Sequence, residues 1–286
     1  VLHCAALVDW GRHSRAELEA INITGTDNVI AACQRAGVSA LVHTSTLEVV
    51  YTGEPVVGGD ESLPYPKRFV NSYCRTKAEA EQHALAANNT ALEVGGVLRT
   101  SVVRPCSIFG ERDPYHVPPL IDMARAGKLF RIGGGSARSQ MVYAGNVAHC
   151  LALAGRSLLS DEPRAAGEVY FVTDVAPKNF FDFFAPMVEA AGVPMPTRSL
   201  PRGPLYALGA GMEALAWMLR PVVTFAPNLT RFAVDYVSLD FTFETDKAAR
   251  ELGYEPRYGE AEALERTVEW FRSAYAPREL AAEPSP

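Results

Sequence analysis

Leu41-Val42-His43-Thr44-Ser45-Thr46 is a short, mostly apolar run that ends in three consecutive hydroxyl residues, and what flanks it decides the fold. A run of this length reads as a buried strand. Upstream, Ser14 and Glu17 stand three apart, the spacing of a capping box, and predict a helix that runs to about Ala36. It should stop at Gly37, because glycine accepts the left-handed conformation that a helix end often needs. Residues 1–6 before it form another apolar strand. Downstream, Asn71 to Ala87 is rich in Ala, Glu and Lys and predicts a second helix, and Thr100 to Val103 is a β-branched strand ending at Pro105. Strand, helix, strand, helix, strand is the order that builds a parallel sheet.

The helix over 71–87 is preceded by a loop from Tyr51 to Val70, punctuated by Gly53, Pro55, Gly58, Gly59, Pro64 and Pro66. Loops this long are usually functional. Beyond Pro105 the alternation weakens to a helix near Pro118 to Ala126, a Gly133 to Gly135 turn, a strand at Met141 to Tyr143, a helix from Asn146 and a strand at Glu168 to Val172. Mostly helical segments follow. Among them Leu205, Leu208, Met212, Leu215 and Leu219 recur at three and four, a stripe that reads first as a packed face and otherwise as a helix lying on a membrane surface or against a sterol.

With 286 residues and 48% hydrophobic composition, the chain is large enough for one big domain or two fused lobes. Lys plus Arg number 27 against 33 Asp plus Glu, so no basic excess meets a phosphate backbone and nucleic acid is excluded as a partner. The five cysteines are scattered without a CxxC spacing, which argues against a disulfide framework and for a reducing, cytoplasmic setting. The six histidines also lack ligand spacing, so no metal is expected. Pro204 to Pro227 is the most apolar later stretch, but Glu213 and Arg220 interrupt it and no transmembrane span is predicted.

Within the helix over 71–87, Tyr73-Cys74-Arg75-Thr76-Lys77 sets a phenol and an ammonium four apart, on one face. A neighbouring cation favours the ionised phenol, which suits a tyrosine that exchanges a proton with an alcohol or ketone. The same spacing also occurs on plain solvated faces. Thr44-Ser45-Thr46 gives it context, because open α/β sheets bind ligands at the carboxyl ends of their strands. Otherwise these hydroxyls cap the following turn.

The chain resembles the extended short-chain dehydrogenase/reductases, and within them the 3β-hydroxysteroid and sterol dehydrogenase branch. The matching pieces are HCAALVD at 3–9, INITGT at 21–26, LVHTSTLEVV at 41–50, GDESLPYP at 59–66, YCRTK at 73–77, VVRPCSIFGERD at 102–113 and MVYAGNVAH at 141–149. The resemblance implies a Rossmann-type α/β fold with its N-terminal strands missing, over residues 1–175, with a substrate-lobe insertion near 106–138. A mainly helical substrate-binding lobe follows over 176–275 and a flexible tail over 276–286. The glycine-rich turn that seats a pyrophosphate has no counterpart before Val1, so the chain is expected to be truncated at its N-terminus.

By the same resemblance Tyr73 is the acid/base, Lys77 lowers its pKa and holds the nicotinamide ribose, and Thr46, with Ser45 adjacent, holds the substrate oxygen. NAD or NADP, with NAD favoured, would lie along Ala5, Ala6, Asn22, Thr44, Tyr73, Lys77, Pro105 and Ile108. Ser107 and Phe109 would line a cleft for a small apolar hydroxyl or keto substrate. A homodimer is implied, pairing through the helix after INITGT and the helix bearing YCRTK. The expected activity is interconversion of a hydroxyl and a ketone on a 3β-hydroxysteroid, sterol or similar apolar alcohol. The alternatives are a nucleotide-sugar epimerase or dehydratase of the same superfamily, and a non-catalytic dinucleotide-sensing or scaffold fragment.

Overall fold

The computed structural model describes residues 1–9, 13–219, 227 and 229–275. Strand β1 (Leu2–His3) is followed by α1 (Arg15–Leu18), a π-helical stretch over Glu19–Thr24 and α2 (Gly25–Ala36). Next come β2 (Ala40–Thr44), a 3-10 turn over Leu47–Val50, β3 (Val56–Gly59), α3 (Ser72–Ala86), β4 (Thr90–Ala91), β5 (Val97–Pro105), β6 (Ser107–Phe109) and α4 (Val117–Arg125). The chain continues through β7 (Arg131–Ile132), β8 (Met141–Tyr143), α5 (Ala144–Leu158), β9 (Val169–Val172), α6 (Phe180–Ala190), β10 (Ser199–Leu200) and α7 (Arg202–Leu219). It ends in α8 (Arg231–Ser238), β11 (Phe241–Phe243), α9 (Asp246–Leu252) and α10 (Glu260–Tyr275). The tail expected over 276–286 lies outside the described residues, as does part of the apolar stretch 204–227.

The main sheet runs β1-β2-β5 with β9 on the far side of β5, all parallel, and β4 lies antiparallel to the start of β5. Both faces are covered. Ala40, Val42 and Val103 meet Val147, Leu151 and Ala154 of α5, while Leu41 and Leu98 meet Ile30 and Cys33 of α2. That two-sided burial is why the strands read as nearly continuous apolar runs. The capping box at Ser14 and Glu17 forms as expected, and Gly37 ends α2 at φ 69°. Far along the chain, α9 returns to pack Ala248 against the layer around α5.

Three local features differ from the sequence reading. Strand β1 is only Leu2–His3, shorter than the expected 1–6, and a few residues on both backbone groups of Leu7 are bonded to the Asn22 side chain, at 2.7 and 3.1 Å. The first helix is interrupted by one π-helical turn, which carries that Asn22. The stripe on α7 is not a packed face: of that helix only Leu205 and Gly209 are buried, whereas Leu208, Leu215, Trp217, Met218 and Leu219 are exposed. The helix meets α8 at Gly209, where a Cβ would stand 3.0 Å from Thr230 C and 3.1 Å from Arg231 N. Contact at a glycine brings backbones together along a narrow strip and leaves the rest of the helix uncovered.

Helix α3 is fastened to the sheet by a buried ion pair. Arg104 on β5 donates from Nη2 to Glu81 Oε1 at 2.5 Å and from Nε to both carboxylate oxygens at 3.1 and 3.2 Å, with both side chains almost fully buried. Ser45 Oγ donates to the same carboxylate, and Tyr65 OH joins it at 2.6 Å. The guanidinium also lies over the Tyr65 and Phe171 rings. Removing one partner leaves a buried charge uncompensated, so Glu81→Ala should lower the unfolding free energy by about 3–5 kcal/mol. Replacing both Glu81 and Arg104 by Met should cost clearly less; urea titrations of the two variants check this ordering.

Candidate active site

The chain leaves β2 at Thr44 and turns so that consecutive hydroxyls face different partners. Ser45 goes to Glu81, as above, and its backbone N–H donates to Val103 O at 2.7 Å. Thr46 caps the 3-10 turn: its Oγ1 accepts from the Glu48 backbone N–H at 3.4 Å and lies 2.7 Å from Glu48 Oε2. The Thr46 hydroxyl also acts on the Tyr73 phenol, favouring its ionised form. Asn71 caps α3 by accepting the Cys74 N–H at 2.8 Å, which sets Tyr73 in the first turn and Lys77 one turn on. Lys77 Nζ donates to Thr44 O at 2.7 Å. Thr46, Tyr73 and Lys77 therefore converge at the carboxyl end of β2, with Ser45 turned away.

Burial pushes the Tyr73 phenol well above its ordinary range, the Glu48 carboxyl adds to this, and the Thr46 hydrogen bond opposes it. The net lowering anticipated from Lys77 is not realised, since the phenol is raised. Burial also brings the Lys77 ammonium down to about 8, with Glu81, Cys4 and Glu48 acting against the fall. The phenol is thus a proton donor at neutral pH, and the amine beside it titrates close to neutrality.

The segments expected along a dinucleotide gather at the same end of the sheet. Ala5 and Ala6 follow β1, with Ala5 exposed, and Thr44 Oγ1 donates to Cys4 Sγ at 3.2 Å. Asn22, having gripped Leu7, donates its remaining N–H to Thr76 Oγ1 at 3.1 Å, which ties this loop to the turn of α3 that carries Lys77. Pro105 is buried at the end of β5, opposite Val172.

Strand alternation splits the rest. Ile108 is exposed, while Ser107 and Phe109 are buried on the other face. Ser107 Oγ lies 2.6 Å from Tyr236 OH. Phe109 sits in the core, edge-on to Phe183 at 4.9 Å and tilted against Tyr143, rather than along a cleft.

Sequence reasoning missed Glu48, His116 and Tyr236. Tyr236, from α8, is 3.4 Å from His116 Nε2, and His116 lies 3.3 Å from Asp113 and stacks on Phe184 at 5.2 Å. The Glu48 charge is felt by both Tyr73 and Tyr236. A single carboxyl inside the apolar run Leu47-Glu48-Val49-Val50 was the available signal. No such signal marked Tyr236, which is brought in from far along the chain. Among the described residues no group of three or more His, Cys, Asp or Glu could hold a metal ion.

The sequence model of the 3-beta hydroxysteroid dehydrogenase/isomerase family matches residues 1–202. The chain belongs to that family. It is 38% identical over 281 residues to short-chain dehydrogenase/reductase family 42E member 1 of Bos taurus, covering 96% of this chain and 70% of that one. It is also 38% identical over 256 residues to 3beta-hydroxysteroid-dehydrogenase/decarboxylase isoform 1 of Arabidopsis thaliana, covering 88% and 57%. Among solved structures, UDP-glucuronic acid 4-epimerase from Bacillus cereus in complex with NAD superposes with a TM-score of 0.66 over 96% of this chain and 74% of its own, at 17% identity. That likeness shows a shared Rossmann-like α/β fold.

The position of Lys77 in this 3-beta hydroxysteroid dehydrogenase/isomerase family member has a thermodynamic consequence. An amine near 10.5 when unfolded and about 8 when folded means that, between those values, the unfolded chain holds a proton the folded chain lacks. Stability therefore rises with pH across that window. Lys77→Met, which does not titrate, should lose roughly 2 kcal/mol of stability relative to the wild-type chain between about pH 7 and about pH 10. Urea unfolding of both chains at the two pH values reads the difference.

Proposed function

We propose that the protein is an NAD(P)-dependent oxidoreductase, NAD being favoured, that interconverts a hydroxyl and a ketone on a 3β-hydroxysteroid, a sterol or a comparably apolar alcohol. The observation that carries this reading is the hydrogen bond from Lys77 Nζ to Thr44 O at 2.7 Å, which brings the face of α3 bearing Tyr73 and Lys77 to the carboxyl end of β2, where Thr46 follows. The donor set fits a nicotinamide dinucleotide. Lys77 is buried and the Thr44 carbonyl accepts one of its three N–H groups, leaving donors suited to paired ribose hydroxyls. Ala5 and Ala6 offer small side chains where a backbone-close ligand needs them. When bound, the nicotinamide supplies the hydride acceptor or donor.

The residues do the remainder. In reduction Tyr73 gives its proton to the ketone oxygen while Thr46 holds that oxygen; in oxidation Tyr73 takes the hydroxyl proton. A buried, protonated phenol suits the first direction at neutral pH, and oxidation should gain as pH rises. Aromatic side chains near the site support an apolar substrate: Tyr236 contacts Phe180 and Phe232, and His116 contacts Phe184. Among the described residues the buried arginine is Arg104, and it is paired with Glu81.

On the same reading two copies pair through α2 and α3, and the protein works on the cytoplasmic side of a membrane. No helix among the described residues is long and apolar enough to cross a membrane. The exposed Leu208, Leu215, Trp217 and Met218 of α7 support contact with its surface instead.

Incubation with 3β-hydroxysteroids and sterols in the presence of NAD or NADP should produce reduced cofactor, read by absorbance. Tyr73→Phe should lower kcat in both directions by about 10³-fold with an unchanged circular dichroism spectrum. Conversion of a UDP-sugar without net cofactor reduction would replace this reading by the epimerase one. For the membrane contact, Leu215→Glu with Trp217→Glu should abolish co-sedimentation with phosphatidylcholine vesicles, whereas equal sedimentation of both chains counts against it.

A further inference from the structure

Glu48 is a buried carboxyl that the reaction as described does not use. Its Oε2 lies 2.7 Å from Thr46 Oγ1, and it pairs with no Lys or Arg among the described residues. The groups that face it are Thr46 from its own turn, Tyr73, Cys74 and Lys77 from α3, His116 from the start of α4 and Tyr236 from α8. Lys77 is held by the Thr44 carbonyl, and the two tyrosines are uncharged donors. An unpaired carboxylate is disfavoured in such a place.

Counting hydrogens sharpens the point. Thr46 has one hydroxyl hydrogen. If Glu48 is ionised, that hydrogen is committed to the carboxylate, and Thr46 has nothing to donate to a substrate oxygen. If Glu48 is neutral, its own O–H and its backbone N–H fill the two lone pairs of Thr46 Oγ1, and the Thr46 hydrogen turns outward. Only the second pattern lets Thr46 hold a substrate oxygen in either direction of the reaction.

We propose that Glu48 is a positioning residue: as a neutral acid it donates to Thr46 Oγ1 and thereby points the Thr46 hydrogen at the substrate oxygen. This rests on the dehydrogenase reading of Thr46 and Tyr73. Burial raises the carboxyl above its usual range, with Thr46, His116 and Lys77 acting against the rise. Glu48 is neutral below its folded-state value and ionised above it, so turnover in the ketone-reducing direction falls as pH rises through that value, while in oxidation the same loss opposes the gain from ionising Tyr73.

Glu48→Ala should lower kcat about a hundredfold with KM within about threefold, as expected for loss of one hydrogen-bond device acting in the transition state. In a Thr46→Val background the same change should add little, since the two act as one unit. Glu48→Gln, whose amide donates to Thr46 at every pH, should recover most of the loss and remove the alkaline fall. A Gln variant as slow as Ala, or effects of Glu48→Ala and Thr46→Val that multiply, overturns the proposal. An infrared spectrum adds a readout that needs no substrate: a protonated-carboxyl band that persists above the ordinary carboxylate range should be present in the wild-type chain and missing in Glu48→Gln. Its absence from the wild-type chain refutes the proposal. If that band is present and hydroxysteroids are not turned over, it is the functional reading that fails and the hydrogen-bond assignment that stands.

Discussion

The pairing of Glu81 with Arg104 is the constraint on which the geometry of the site depends. One carboxylate, buried between α3 and β5, collects the guanidinium, the Ser45 hydroxyl and the Tyr65 phenol. Each contact locks a different element: β5, the exit from β2, and the loop ahead of α3. Glu81 lies one turn beyond Lys77 and two beyond Tyr73 on the same helix, so fixing it fixes the rotation of α3. That rotation turns Tyr73 toward Thr46 and Lys77 toward the Thr44 carbonyl. Binding Ser45 also settles which of two adjacent hydroxyls faces the phenol, because a turn that sends Ser45 to Glu81 sends Thr46 the other way.

Much of this fold was legible because local rules and burial agreed. The capping box at Ser14, the glycine stop at Gly37 and the Asn71 cap of α3 are short-range devices, and each lies within a residue or two of where the pattern put it. The failures share a cause of the opposite kind. Asn22 holds the segment after β1 by reaching fifteen residues back to Leu7, and no local pattern announces so distant a side-chain contact. The π-helical turn around it leaves no mark in the apolar period. On α7 the period is present, but periodicity says only that one face is apolar and not that anything covers it.

The site divides in the same way. Tyr73 and Lys77 could be paired from a spacing of four, and Thr46 from its place after a strand. Tyr236 could not, since α8 reaches the site only through the packing of the second layer, where Phe180, Phe184 and Phe232 hold it. A residue whose role depends on tertiary placement becomes visible only with the fold. Glu48 is intermediate: a lone acid in an apolar 3-10 turn is noticeable in sequence, but its meaning depends on Thr46 and Tyr73 being within reach.

Burial also reverses a simple expectation about charge. A cation four residues from a phenol should favour the phenolate, but that argument assumes the two groups share a medium that screens little else. Here the cost of desolvating a phenolate, with Glu48 close by, sets the direction, and the phenol is raised. The same desolvation weakens Lys77 as a cation, because the ammonium is itself buried and is held by the end of β2. Tyr73, Lys77 and Glu48 are thus all shifted toward their neutral forms by one apolar enclosure. On the proposed reading, reduction by hydride transfer in such an enclosure starts with the proton on Tyr73 and with little fixed charge to reorganise around it, which favours a site that exchanges protons by short hydrogen bonds over one that stabilises a standing anion.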